Sequence, residues 1–163
     1  MKQWFTEHVS GAIILLGIRL YLGYTWLTAG FGKVTGEFDA SGYLQGAIAN
    51  AQGEEAVVQG WWAAFLETFA LPYSGLFSFL VMWGEVLVGL ALVIGLLTKT
   101  AAFFGIIMNM SFLLSGTIST NPEMAILGAL ILAAGLNAGR IGLDPFAHRF
   151  LKKKSQLLLT KAA

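Results

Sequence analysis

From Gly75 to Leu97 the chain runs twenty-three residues with one ionisable side chain, Glu85, and no proline. That length matches the about 20 apolar residues a helix needs to cross a bilayer core. Three more apolar stretches follow the same pattern: Val9 to Phe31, Thr100 to Ile118, and Met124 to about Ile141. With 56% hydrophobic and only 12% charged residues, the 163-residue chain lies outside the range of ordinary soluble domains. The expected fold is all-α: an integral membrane four-helix bundle with spans at about 9–31, 75–97, 100–118 and 124–141. Four spans, an outer loop over 32–74 and a basic tail over 142–163 use up the length, so a single membrane domain over 1–163 is expected.

Lys2 precedes the first apolar run, as in a signal peptide, but the run is too long and no small-residue cleavage site follows it, so it reads as a retained span. The chain contains no cysteine, which excludes disulfides, thiol relays and thiolate metal sites within it.

Four spans place both termini on one side, together with the turn at Thr98 and Lys99. That side collects Lys2, Lys99, Arg140, Arg149, Lys152, Lys153, Lys154 and Lys161 against Glu7 and Asp144, a balance of +6. The opposite side collects Lys33 against Glu37, Asp39, Glu54, Glu55, Glu67 and Glu123, a balance of −5. Lys and Arg concentrate in short cytoplasmic loops, so a multi-pass protein of the cell membrane with both termini cytoplasmic is expected. The segment HRFLKKK serves as a topogenic, solubilising tail; the alternative is contact with anionic lipid, at roughly 1 kcal/mol per basic residue near the surface.

The loop of about 43 residues between the first two spans is too long to lack structure of its own. In EEAVVQGWWAAFLETFALP, apolar residues recur at helical spacing from Val57 to Phe69, and Pro72 ends the pattern. This predicts an extracytoplasmic amphipathic helix with Trp61 and Trp62 at headgroup depth. A shorter helix is expected in the preceding GEFDASGYLQGAIANAQG.

Charge sorting leaves Arg19 and Glu85 inside the spans. Each lies about ten residues from its span's start, or roughly 15 Å at 1.5 Å per residue. A lone charge at such depth costs about 2.5–3.5 kcal/mol on insertion scales, so the two are expected to face inward and pair. Asn109, at matching depth in the third span, would satisfy what the pair leaves free. After Arg19, residues Gly23, Trp26, Gly30 and Lys33 follow at steps of four and three, one helical stripe that joins two cations, two glycines and an indole.

The only histidines, His8 and His148, flank the spans, which argues against haem or metal ligation within the bundle. No phosphate-binding glycine loop, nucleophile triad or nucleic-acid stripe is present. In LSGTISTNPEM, Asn121, Pro122 and Glu123 signal a helix start. The Ser and Thr residues there either hydrogen-bond backbone at a tight turn or line an outward-facing polar pocket.

Four segments, RLYLGYTWLTAGFGK, GEVLVGLALVIGLLTKTAA, GIIMNMSFLLSGTISTNPEMAIL and GLDPF, together resemble the DoxX superfamily. The resemblance covers about Arg19 to Phe146, with the run from Gly84 to Pro122 its most specific part. The closest similarity is to the DoxD-like branch, the small subunit of thiosulfate:quinone oxidoreductase. The resemblance implies a four-helix bundle in a prokaryotic membrane, and electron transfer to a membrane quinone with a partner oxidoreductase subunit. The resulting expectation is an incomplete enzyme with no covalent cofactor. Arg19, Glu85 and Asn109 would form the floor of a quinone site, with Trp26, Lys33, Trp61 and Trp62 at its mouth. The competing reading is a non-enzymatic scaffold or chaperone-like partner of another membrane complex. Membrane lipid and a second copy of the chain are further expected partners; nucleic acid is not.

The charge argument is testable in intact cells, because the chain is naturally Cys-free. An impermeant thiol reagent should label Glu54→Cys and spare Lys153→Cys. The reverse pattern would overturn the orientation.

Overall fold

The computed structural model describes residues 2–150 and residue 152. Among these every regular element is a helix, without strands. A short α1 (Lys2–Glu7) leads into the long α2 (Val9–Thr35). The connection to α5 (Ser74–Ile94) carries α3 (Ala40–Ala49) and α4 (Gly60–Phe65), which continues as a π-helical turn over Leu66–Ala70. After α6 (Thr98–Leu114) and α7 (Asn121–Ala133), a 3₁₀ turn over Gly135–Gly139 precedes a helical stretch at 144–150.

The helices α2, α5, α6 and α7 close a ring in which α2 meets α5 and α7, and α6 meets the same two. Only α2 and α5 are long and apolar enough to cross a membrane; α6 has 17 residues and α7 has 13. The last two helices are therefore shorter than the sequence predicts, and glycines account for the difference. Gly116 at φ +83° follows α6, and Gly135 at φ +63° follows α7, a conformation that ends a helix readily only where no Cβ is present. Pro122 in the first turn starts α7 where the Asn-Pro-Glu signal places it. At its far end α2 runs four residues past Phe31, closing with the amide of Gly36 on the carbonyl of Gly32.

The two halves of the molecule bury different cores. Leu15, Leu22, Trp26, Leu92 and Ile131 fill the ring. Ala40, Leu44, Ala47, Leu66 and Ala70 form a second cluster under α3 and the π turn. Asp39 caps α3 by accepting from the amide of Ser41 at 3.0 Å and from its hydroxyl, and these bonds hold its carboxyl below the usual carboxylate range. Ser78 ties α3 onto α5 by accepting the amide of Ala40 at 2.9 Å. The amphipathic helix begins at Gly60, three residues after the apolar pattern starts at Val57, because Gln59 is extended and the amides of Val57 and Val58 turn back to the carbonyl of Asn50. Large apolar side chains such as Ile13, Leu87, Phe103 and Phe104 remain exposed around the ring, as a lipid-facing surface requires.

The tightest packing joins α2 to α5. A Cβ on Gly89 would lie 2.7 Å from the amide nitrogen of Leu27 and 2.8 Å from the carbonyl oxygen of Gly23. One on Gly30 would lie 2.8 Å from the amide nitrogen of Val86. Because these neighbours are backbone, they cannot swing away. Gly89→Val should therefore cost at least the about 1–3 kcal/mol of an overpacked core and lower the melting temperature in detergent clearly. Gly17→Ala, on an open face of α2 with nothing within 4 Å, is the control and should leave it unchanged. Equal effects of the two would refute the close-contact account.

Candidate functional site

The buried carboxylate of Glu85, 1% exposed, is paired with Lys33 and not with Arg19. The Lys33 ammonium donates to both carboxylate oxygens, at 2.8 and 3.0 Å, and lies 5.7 Å from the ring centre of Phe38. Register explains the exchange of partners. Depth counted from span ends assumes that the two helices lie flush, but the glycine contacts set them otherwise. Gly30 faces Glu85 and Val86, Gly23 faces Gly89 and Val93, and Arg19, one turn further, faces Gly95. Arg19 is thus displaced from Glu85 by ten residues of α5, about 15 Å of helix. Lys33, from the same stripe of α2, is the cation at the right height.

Arg19 serves a different junction. Its guanidinium donates to the carbonyls of Ala138 at 3.0 Å and Ile141 at 2.5 Å, the end of the 3₁₀ turn, where backbone acceptors lack helical partners. Gly95 and Gly142 pack backbone to backbone beside it, where a Cβ on either would come within 2.9 Å of the other's Cα. The amides of Leu143 and Asp144 then bond the carbonyls of Ile94 and Gly95. The carboxylate of Asp144 accepts the amides of Leu97 at 2.6 Å and Thr98 at 3.2 Å, capping α6. The GLDPF segment is therefore a clasp that joins the helical stretch 144–150 to the α5–α6 turn.

At the opposite end of the ring, beneath α3 and α4, lies a cavity of about 530 Å³. Lys33 and Glu85 form one wall with Trp26 below them. A second wall carries hydroxyls: Ser115 accepts the indole N–H of Trp62 at 2.9 Å, and Thr117 shares a 3.0 Å hydrogen bond with the phenol of Tyr43. Ser111 and Asn121 also reach this space, while Leu44, Phe65, Phe77 and Met108 make the remainder apolar. Four of the seven sequence candidates, Trp26, Lys33, Trp62 and Glu85, thus meet in one cavity. Arg19 stands at the other end of the bundle.

Asn109 is buried in the α6 packing without lining the cavity, and its side-chain oxygen has no hydrogen-bond partner among the described residues. Trp61 points away, 60% exposed, with its indole on the side chain of Gln59. Tyr43, Ser115 and Thr117 escaped the sequence candidates. The only signal for the latter two was the Ser/Thr-rich turn after the third apolar stretch, whose pocket-lining alternative matches the geometry. Among the described residues no group of three or more His, Cys, Asp or Glu side chains could hold a metal ion.

The DoxX family model matches residues 14–117, which run from within α2 to just past α6 and include Lys33, Glu85, Ser115 and Thr117 of this cavity. The chain belongs to the DoxX family. It is accordingly a membrane protein, in keeping with its apolar α2 and α5. Comparison with curated proteins and with solved structures gave no match. Within this DoxX protein the match ends before α7 and the GLDPF clasp.

A double-mutant cycle distinguishes the two charge clusters. Lys33→Met strands the Glu85 carboxylate and should cost toward the lower end of the about 3–5 kcal/mol seen for broken buried pairs, since the Lys33 side chain is 26% exposed. Adding Glu85→Leu should recover much of that loss. Arg19→Met and Glu85→Leu should instead add within about 0.5 kcal/mol, as separated sites do. Strong coupling between Arg19 and Glu85, read from detergent melting curves, would contradict the register described above.

Proposed function

We propose that this DoxX protein is a multi-pass membrane subunit, with four crossings and cytoplasmic termini, whose outward-facing cavity holds the head of a membrane quinone. The observation that carries this reading is the cavity itself: about 530 Å³, largely apolar, with one ion pair and a row of hydroxyls on facing walls. Pockets of this size, apolar with a few fixed polar groups, suit a drug-sized amphiphile. A quinone ring presents two carbonyl acceptors and accepts two electrons and two protons on reduction. The Lys33 ammonium has three donors, two of them engaged by Glu85, which leaves one for a carbonyl. The hydroxyls of Tyr43 and Thr117 are suited to the second carbonyl. Trp26 and Trp62 flank the space where the ring would lie.

In this reading the chain binds and orients, and a partner oxidoreductase subunit supplies the electrons. The finer assignment, to the DoxD-like small subunit of a thiosulfate:quinone oxidoreductase, rests on sequence resemblance alone and belongs to the same proposal.

A second reading, a scaffold for another membrane complex, is favoured by one feature. Trp61, Phe65, Phe69 and Tyr73 form an aromatic row along α4 and the π turn, with ring centres 5.6 Å apart for Phe65–Phe69 and 5.7 Å for Phe69–Tyr73. Its outer members are half exposed or more, a surface suited to a protein partner. Substituting Trp61, Phe69 and Tyr73, the members of the row that do not line the cavity, should release such a partner in a mild-detergent pull-down and leave the cavity intact.

For the leading reading, short-chain ubiquinone or menaquinone analogues should quench tryptophan fluorescence saturably in the detergent-solubilised protein. Replacing Trp26 and Trp62 by Phe should remove most of that quenching, whereas Trp83→Phe should not. Absence of saturable quenching in a folded, monodisperse protein would sink the quinone proposal.

A further inference from the structure

The end of the bundle that carries α1 and the helical stretch 144–150 has a second cavity, about 330 Å³, which plays no part in the quinone reading. Thr6, Asn137, Arg140, Asp144 and His148 provide its polar lining. Asn137 forms a fixed wall, donating to the carbonyls of Phe5 at 2.9 Å and His8 at 3.1 Å. Arg140 spends one N–H on the carbonyl of Glu7 at 2.5 Å, so most of its five donors are not engaged by the described residues. The acid in this cavity is already committed, because both carboxylate oxygens of Asp144 accept amides at the start of α6.

Beside this pocket the helical stretch 144–150 exposes two aromatic rings one turn apart, Phe146 at 66% and Phe150 at 70%. His148, Arg149 and Lys152 are exposed on the rest of the same segment. Lys99, just beyond the amides that Asp144 caps, adds an exposed cation at this end. Apolar rings beside a cationic face are the composition of a helix lying in a membrane interface. A free anion would use the cations and leave the rings idle; an anionic phospholipid uses both.

We infer that this pocket seats the phosphodiester head of an anionic phospholipid, with Arg140 as its principal donor and the Phe146 and Phe150 rings against the acyl chains. An arginine fork matches phosphate oxygens in geometry as well as in charge. The inference is independent of the quinone reading, since it concerns the other end of the bundle.

Native mass spectrometry of the whole protein, after exchange into neutral detergent with equal phosphatidylglycerol and phosphatidylcholine, provides the test. Retention of about one phosphatidylglycerol per chain is expected, preferred by about tenfold or more over phosphatidylcholine, which shares the phosphodiester but adds a quaternary ammonium that the cations of this face repel. Arg140→Gln should abolish the preference. His148→Gln with Arg149→Gln, both exposed and outside the packed core, should weaken it and keep the inference testable if the Arg140 variant does not fold. Unchanged preference in the folded variants, equal retention of the two lipids, or equal thermal stabilisation by inorganic phosphate alone would overturn it.

Discussion

The architecture depends on how closely two helix backbones can approach. Where Gly23, Gly30 and Gly89 meet, α2 and α5 touch through main-chain atoms, and any side chain would hold them apart. In lipid, where the surroundings are as apolar as the helix surface, such close packing is a main source of helix association. The contact also sets register, and register decides which charges meet. With these glycines in place, Lys33 reaches Glu85 and Arg19 is delivered to the carbonyls of the closing turn. Each cation satisfies a different deficit: one neutralises a buried acid, the other fills acceptors that a helix end leaves open.

Much of this was legible in the residues. The 23-residue run around Glu85 marked α5 to within three residues at its end, and the alternating steps from Arg19 to Lys33 marked the buried stripe of α2. That stripe even contained the correct partner for Glu85. What could not be read was the axial offset between the two helices. Periodicity along a helix reports which face is buried and is silent about how far one helix slides past another. Glycine-to-glycine contacts decide the offset, but sequence alone does not pair them. The cavity was legible only in part for a related reason. Trp62 and Ser115 stand 53 positions apart, and the hydroxyl of Thr117 finds Tyr43 across 74. Trp61 and Trp62, neighbours with opposite fates, stand about 100° apart on one helix, and only the packing of α4 over the ring decides that Trp62 turns to Ser115 and Trp61 outward.

The two ends of the bundle are built by different physics. One end is closed by backbone: Gly95 against Gly142, amides on carbonyls, and a carboxylate cap. The other is covered by side chains from α3, α4 and the π turn, whose small core of alanines and leucines leaves a cavity beneath. A backbone clasp tolerates little displacement, whereas a cover held by a few side-chain contacts opens at lower cost. The arrangement therefore concentrates rigidity where Arg19 is buried and adaptability where Glu85 meets the cavity.

The Asp144 cap also orders events in time. A chain is made from its N-terminus, yet the amides that begin α6 receive their acceptor from a residue 46 positions later than Thr98. Until that residue emerges, the turn between α5 and α6 holds unsatisfied donors and the Arg19 guanidinium has no carbonyls to fill. The turn that joins α5 to α6 is latched only by Asp144, beyond the end of α7. The buried polar network around Arg19 is therefore completed only after α5, α6 and α7 have all been made.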